Sequence, residues 1–134
     1  MLSYLVIGAN DVALSAKFYA AVLLPLGYEQ IEEGTYAAFA LKDAEDRENG
    51  PGTIWIEPPF DGRPATFGNG MMPAFRTKTR AEVRTVYAAG MAHGGRDEGQ
   101  PGLRPHYGEH FYAAYMRDPV GNKLALFCTA EREG

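Results

Sequence analysis

Two histidines lie close together in the segment Gln100–His110: His106 and His110, flanking Tyr107, Gly108 and Glu109. Imidazole is the side chain that changes charge most readily near neutral pH, so this group could pass protons as a general acid or base. With Glu109 it could also offer nitrogen and oxygen to a divalent ion. The segment holds two prolines and shows neither helical nor strand periodicity, so it reads as a polar loop. A precise site needs stiffer support, and a solvated loop is the plainer reading. If the loop folds over a cleft, His106, Tyr107 and His110 become the best acid–base groups in the chain. Glu57 ends the strand-like run Thr53-Ile54-Trp55-Ile56-Glu57 and could add one basic or polar contact, although a surface role serves it equally well.

Other reactive side chains have quieter readings. His93 lies near the end of a helix, where an imidazolium meets the negative helix terminus favourably. Cys128 stands among apolar residues with no histidine beside it in sequence, which suits a buried inert thiol better than a nucleophile. Arg76 could grip a ligand carboxylate with its fork of donors, but arginines at strand ends are commonly solvated. Gly68-Asn69-Gly70 reads as a turn rather than a phosphate cradle.

The elements that would position these groups follow from periodicity. Ser3–Gly8 is strand-like, and Asn10-Asp11 can cap a helix whose apolar stripe is Leu14, Phe18, Ala21 and Val22. Pro25 ends that helix near Leu24, and Gly27 suits the turn after it. Strands follow at 28–33, 35–42 and 53–57, with a charged loop at 43–52. The segment 58–70 is rich in Pro and Gly and serves as a linker. The order then restarts. A strand over 71–75 leads to Thr79-Arg80-Ala81-Glu82, a capping box in which hydroxyl and carboxylate each take a backbone amide. Val83, Val86 and Tyr87 form the buried stripe of that helix, which ends at Gly90 or Gly94. A short strand is expected near Arg96, and further strands at 111–116 and 123–128.

The chain therefore states one pattern twice. Tyr4, Asp11 and Tyr19-Ala20-Ala21 return 68 residues later as Met72, Thr79 and Tyr87-Ala88-Ala89. The predicted class is α+β: two tandem βαβββ modules, about 1–57 and 71–134, making one domain over 1–134. With 134 residues, 46% of them hydrophobic, the chain can bury a sizeable core. Its net charge of −4 disfavours nucleic acid and anionic membranes as partners. One cysteine excludes an intrachain disulfide and fits a reducing compartment. No secretory leader or membrane span is evident, so a cytoplasmic location is expected.

Three stretches carry a family likeness. They are Ile7-Gly8 through Asp11 to Phe18-Tyr19 with Leu26-Gly27-Tyr28; Gly68-Asn69-Gly70 into Met72 and Ala74-Phe75; and Asp118-Pro119-Val120-Gly121-Asn122-Lys123. In this order they resemble the glyoxalase / bleomycin resistance / extradiol dioxygenase group, the vicinal oxygen chelate superfamily. The resemblance implies that the modules form a cupped mixed sheet around a central cleft. It also implies that first and last strands supply four His or Glu ligands to one divalent ion, whose open positions take substrate oxygens.

Carried over residue by residue, those positions fall on Tyr4, Met72, Ala125 and either Trp55 or Glu57, which share one strand face. At most one carboxylate remains, and one carboxylate cannot hold a transition metal against water. No cofactor is therefore expected, and a divalent ion is the less favoured alternative. Tyr4, Trp55, Met72, Ala125 and Tyr115 are instead expected to line an apolar-aromatic cleft for a small organic ligand. Plain core packing competes for these residues, and Tyr115 can face either way. The competing functions are a glyoxalase-type lyase, isomerase or dioxygenase, using a metal or the loop's acid–base groups, and a drug-sequestering resistance protein. A homodimer is expected, since half-barrel modules of this family pair across chains.

Overall fold

A computed structural model describes residues 1–133; Gly134, at the end of the expected second module, lies outside the described residues. The first module comprises β1 (Tyr4–Gly8), α1 (Val12–Leu23), β2 (Tyr28–Glu32), β3 (Ala37–Leu41) and β4 (Thr53–Glu57). The second comprises β5 (Ala74–Arg76), α2 (Arg80–Ala92), β6 (Arg96–Leu103), β7 (Tyr112–Arg117) and β8 (Lys123–Cys128). The order is βαβββ twice, as the repeat predicts. Each module forms its own four-stranded mixed sheet, β1-β4-β3-β2 and β5-β8-β7-β6. The first strand of each pairs in parallel with the last, and the remaining pairs are antiparallel. Neither sheet closes on itself.

The helix starts follow from their caps. Asp11 accepts the Leu14 amide at 3.0 Å, and Thr79 accepts the Glu82 amide at 3.0 Å. Glu82 accepts the Lys78 amide at 3.1 Å, one residue ahead of the cap, in place of the Thr79 amide that a full capping box would take. A single turn of 3-10 helix, Leu24–Leu26, follows α1 and ends at Gly27 in the left-handed region. The α2 helix runs through Gly90 and is capped at His93, with left-handed Gly94 next. His93 Nδ1 lies 2.7 Å from the Ala89 carbonyl, the helix-end role expected of it.

Both helices cover the same side of the two sheets, and one core spans both modules. Phe18, Tyr19, Val22 and Leu23 of α1 and Val83 and Val86 of α2 are buried, together with Phe39, Ile56, Met116, Leu124 and Leu126. The buried stripe of α1 is rotated from the one read in sequence: Leu14 is exposed and Ala21 only partly covered. The Phe18-Tyr19 and Val22-Leu23 pairs face inward because α1 packs against α2 as well as its own sheet.

Two strand expectations need correction. Residues 100–103 belong to β6, not to a loop. As an edge strand, β6 tolerates Pro101, and register shifts between Asp97 and Gly99 and between Gly99 and Gly102 accommodate it. The second module's first strand begins at Ala74, so Met72 precedes it. Pro73 has no amide hydrogen, although its carbonyl accepts the Ala125 amide at 2.9 Å.

A buried polar cluster ties the modules together. Asp118, 0% exposed, follows β7 in the Asp-Pro-Val-Gly-Asn turn. Its Oδ1 accepts the amides of Val120, Gly121 and Asn122 at 2.9, 3.0 and 3.0 Å. Its Oδ2 accepts the Asn122 side-chain amide at 2.8 Å and the Tyr19 hydroxyl at 2.7 Å. Asn122 Nδ2 also lies 3.2 Å from the Gly8 carbonyl at the end of β1. A carboxylate with five donors satisfies the demand for partners that burial imposes. Burial, then the charge and hydrogen bond of Asp118, push the Tyr19 phenol well above its usual range. Among the described residues, no helix is long and apolar enough to cross a membrane.

Candidate functional site

The face of each sheet turned away from the helices is the candidate binding surface. In β8 the alternation sends Leu124, Leu126 and Cys128 into the core and leaves Lys123, Ala125 and Phe127 on the other face. In β7, Tyr112, Ala114 and Met116 go to the core. Tyr115 therefore lies on the open face, paired with Ala125, and its orientation is resolved.

A cavity of about 570 Å³ opens on this face of the second module. Met72, Tyr115 and Phe111 line it, with Tyr107 and His106 from the β6–β7 connection. Arg104, Lys123 and Glu98 supply its charges. The connection is a compact turn, not a loose loop. Arg104 donates to the Phe111 carbonyl at 2.8 Å, Tyr107 to that of Arg104 at 2.9 Å, and Phe111 to that of Gly108 at 3.2 Å, all through backbone amides. The aromatic groups form a continuous series. His106 and Tyr107 ring centres are 4.1 Å apart, Tyr107 and Phe111 5.7 Å, and Phe111 stacks on Phe127 at 5.3 Å. Arg76 lies over the far side of the series, 4.6 Å from the Phe127 ring centre, and its Nη1 is 3.3 Å from the Thr129 hydroxyl.

The expected site residues thus divide. Met72, Tyr115, His106 and Tyr107 meet at one cavity. His110 is not among its lining residues; its Nε2 lies 3.9 Å from the exposed Glu109 carboxylate. Trp55 lines a different concavity of about 590 Å³ on the first module, with Glu29, Gln30, Ile31, Glu32, Arg47 and Glu48. Its indole donates to the Glu48 carbonyl at 2.9 Å. Tyr4, half exposed, lines a smaller groove where β1 approaches Pro73 and Ala74. Glu57 pairs with Gly8 at the end of β4, and its carbonyl accepts the Ala9 amide. Ala125 is buried beneath the pairing of β7 with β8.

Strand register decides between Trp55 and Glu57. Val6 pairs with Trp55, and Ala74, the repeat mate of Val6, pairs with Ala125. The structural mate of Ala125 is therefore Trp55, and Glu57 corresponds to Phe127. The four positions implied for metal ligands are then Tyr4, Trp55, Met72 and Ala125. They offer one phenol, one indole, one thioether and one methyl, a donor set that does not fit a divalent ion. Among the described residues, no three of His, Cys, Asp and Glu group closely enough to supply another.

Sequence reasoning missed Arg104, Lys123, Phe111 and Glu98. Lys123 was accessible by alternation, since it shares a face with Ala125. The Glu98 carboxyl is held below its usual range by the hydrogen bond and charge of Arg117, whose Nε lies 2.8 Å away, with Lys123 adding a smaller pull. Glu98 is therefore an occupied carboxylate on the cavity wall.

The sequence matches the model of the Glyoxalase/Bleomycin resistance protein/Dioxygenase superfamily over residues 1–126. Among solved structures, a glyoxalase/bleomycin resistance protein from Albidiferax ferrireducens T118 is 34% identical. It aligns over 96% of this chain and 98% of its own, with a TM-score of 0.80. A glyoxalase-related enzyme from Fulvimarina pelagi, 19% identical, aligns over 96% of this chain and 87% of its own with a TM-score of 0.72. A lactoylglutathione lyase from Agrobacterium tumefaciens, also 19% identical, aligns over 96% and 92% with a TM-score of 0.61. At such identities the last two share the fold alone. No curated protein matches the chain. With nearly the whole chain matched, and the paired βαβββ modules and the Asp118 turn in place, the protein belongs to the glyoxalase/bleomycin resistance protein/dioxygenase superfamily.

Proposed function

We propose that this superfamily member is a cytoplasmic, metal-free protein that binds a small organic molecule in the aromatic cavity of its second module. One observation carries the reading. Met72, Tyr115, Phe111 and Tyr107 line an open concavity of about 570 Å³, a volume suited to a small ligand. The positions at which relatives of this type would hold a metal carry no imidazole or carboxylate. Binding would rest on aromatic stacking and dispersion, with Met72 adapting its unbranched side chain to the ligand's outline.

The test joins metal analysis of the purified protein to a thermal-shift screen of small aromatic and aliphatic compounds, since a ligand that binds only the folded state raises the melting temperature. The expected result is no stoichiometric divalent ion, and hits whose shift is lost in Tyr115→Ala. A stoichiometric ion removed by Glu57→Ala or by His106→Ala with His110→Ala would overturn the metal-free reading.

A second reading, an enzyme, is favoured by the placing of His106 and Tyr107 on the cavity wall with their rings 4.1 Å apart. A bound molecule could exchange a proton with either group. Turnover of a screening hit, abolished by His106→Gln while binding persists, would establish it.

A further inference from the structure

The charges around the second-module cavity run against the charge of the whole chain. The protein has 17 acidic and 13 basic residues, yet two cations converge on one aromatic ring here. Arg104 and Lys123 each lie 5.4 Å from the centre of Tyr115. Resting on the cavity reading above, we infer that the site selects an aromatic molecule bearing an anionic head group, of which a carboxylate is the simplest instance.

Among the described residues, no carboxylate lies within ion-pairing distance of either cation. Among the described residues the guanidinium of Arg104 donates to two carbonyls of the preceding strand β6, Gln100 at 2.6 Å and Leu103 at 3.4 Å. These bonds aim it without neutralising it. Glu98, the acidic group on the wall, is already engaged by Arg117 at 2.8 Å. The site therefore presents net positive charge beside an apolar floor. An arginine fork matches a carboxylate in plane and spacing, and the lysine adds a point charge. Tyr115 and Phe111 give an aromatic body flat surfaces to cover, and Arg76 over Phe127 extends the same electrostatic sign along the sheet face. A neutral molecule would find the stacking surface but leave the Arg104 guanidinium, and most of the charge of Lys123, without an anionic partner. A cationic one would be repelled.

Three probes sharing one body separate charge from shape: 2-naphthoate, 2-naphthylmethanol and 2-naphthylmethylamine. Binding is followed by titration calorimetry and by the methyl resonance of Met72, assigned with Met72→Leu. The acid should bind about tenfold more tightly than the alcohol, the worth of one charge-assisted hydrogen bond, and the amine most weakly. Arg104→Met and Lys123→Met, which keep much of the apolar stems, should each remove most of that preference, read as the ratio of acid to alcohol affinity. Added salt should weaken the acid and spare the alcohol in the unaltered protein, a readout that does not depend on the variants folding. Equal affinity for acid and alcohol, or tighter binding of the amine, overturns the anion inference and leaves the cavity standing as a site. Failure of all three probes to shift Met72 at millimolar concentration overturns the cavity reading and this inference with it.

Discussion

Replacing Tyr19 with phenylalanine removes one oxygen and nothing else from the join between the modules. The ring would keep its buried place and its edge contact with Phe18, at 4.9 Å between centres. The hydrogen bond of 2.7 Å to Asp118 Oδ2 would vanish, leaving that carboxylate with four donors. A hydrogen bond to a charged group contributes about 1.5–3 kcal/mol. An unfolding entropy of about 0.28 kcal/mol/K, scaled to 134 residues, makes this a fall of about 5–10 °C in Tm. Asp118→Asn should cost more, because charge-assisted bonds from several donors are weakened at once and its amide nitrogen would meet the Asn122 side-chain amide, donor against donor. A double-mutant cycle by chemical denaturation should show coupling of about 1 kcal/mol or more. The pH dependence has a definite sign. The folded pKa of Tyr19 is raised well above that of an exposed phenol by burial and by Asp118, so its contribution is complete below the unfolded value, about 10, and is lost as pH rises through the folded value. Tyr19→Phe should therefore flatten the alkaline fall in stability. A Tm change under 2 °C with an unaltered alkaline limb would refute the claim that this pair locks the modules.

Two further outcomes follow. Gly90→Ala would gain helix propensity, but its new methyl would stand 2.5 Å from the Met116 Cε and 2.9 Å from its Sδ; overpacking should win, with a net loss of about 1–2 kcal/mol by urea denaturation, and an unchanged or raised stability would show that Met116 moves aside freely. In the single chain Tyr4 is 50% and Val6 48% exposed on a strand at the edge of its sheet, so a homodimer is expected by light scattering at micromolar concentration and should dissociate on Val6→Lys; a wild-type monomer throughout that range would refute it.

How far the sequence led depends on whether local chemistry or long-range register was at stake. Asp11 and Thr79 each cap a helix through hydrogen bonds confined to a few residues, so both were legible, as was the 68-residue repeat that relates them. The same offset failed at the last strands. Glu57 is the mate of Ala125 by counting, whereas pairing with β1 and β5 makes it Trp55: the longer β6 and its connection to β7 outweigh the shorter turn before β8, and the second module gains a net two residues. Period-two alternation cannot register an insertion that leaves the face unchanged. Residues 100–103 read as loop because Pro and Gly dominate them, and only the neighbouring β7 shows that an edge strand absorbs such residues through bulges. Tyr19 and Asp118 were each visible as parts of motifs. Their bond joins positions 99 apart and has no local signature.

The two modules have parted company in charge as well as in side-chain size. Around Trp55 the open face of the first module carries Glu29, Glu32 and Glu48, of which Glu29 is paired with Arg47 at 2.9 Å. Around Tyr115 the second module carries Arg104 and Lys123 beside Glu98, itself paired with Arg117. Equivalent strands thus present faces of opposite sign. A duplicated frame with one shared ligand set has reason to keep both faces alike, since a single ion must see donors from each. Tyr4, Trp55, Met72 and Ala125 stand where that set would be and offer no shared set of metal donors; on the metal-free reading proposed above, each face would be free to answer to its own occupant. An anionic molecule is matched by the second face and opposed by the first. The acidic face in turn matches a cation, whether on a ligand or on the cationic face of a second copy of the chain. The dimer test therefore bears on ligand selection too: if the faces of two copies meet, added salt should weaken the dimer and the aromatic anion should compete with it.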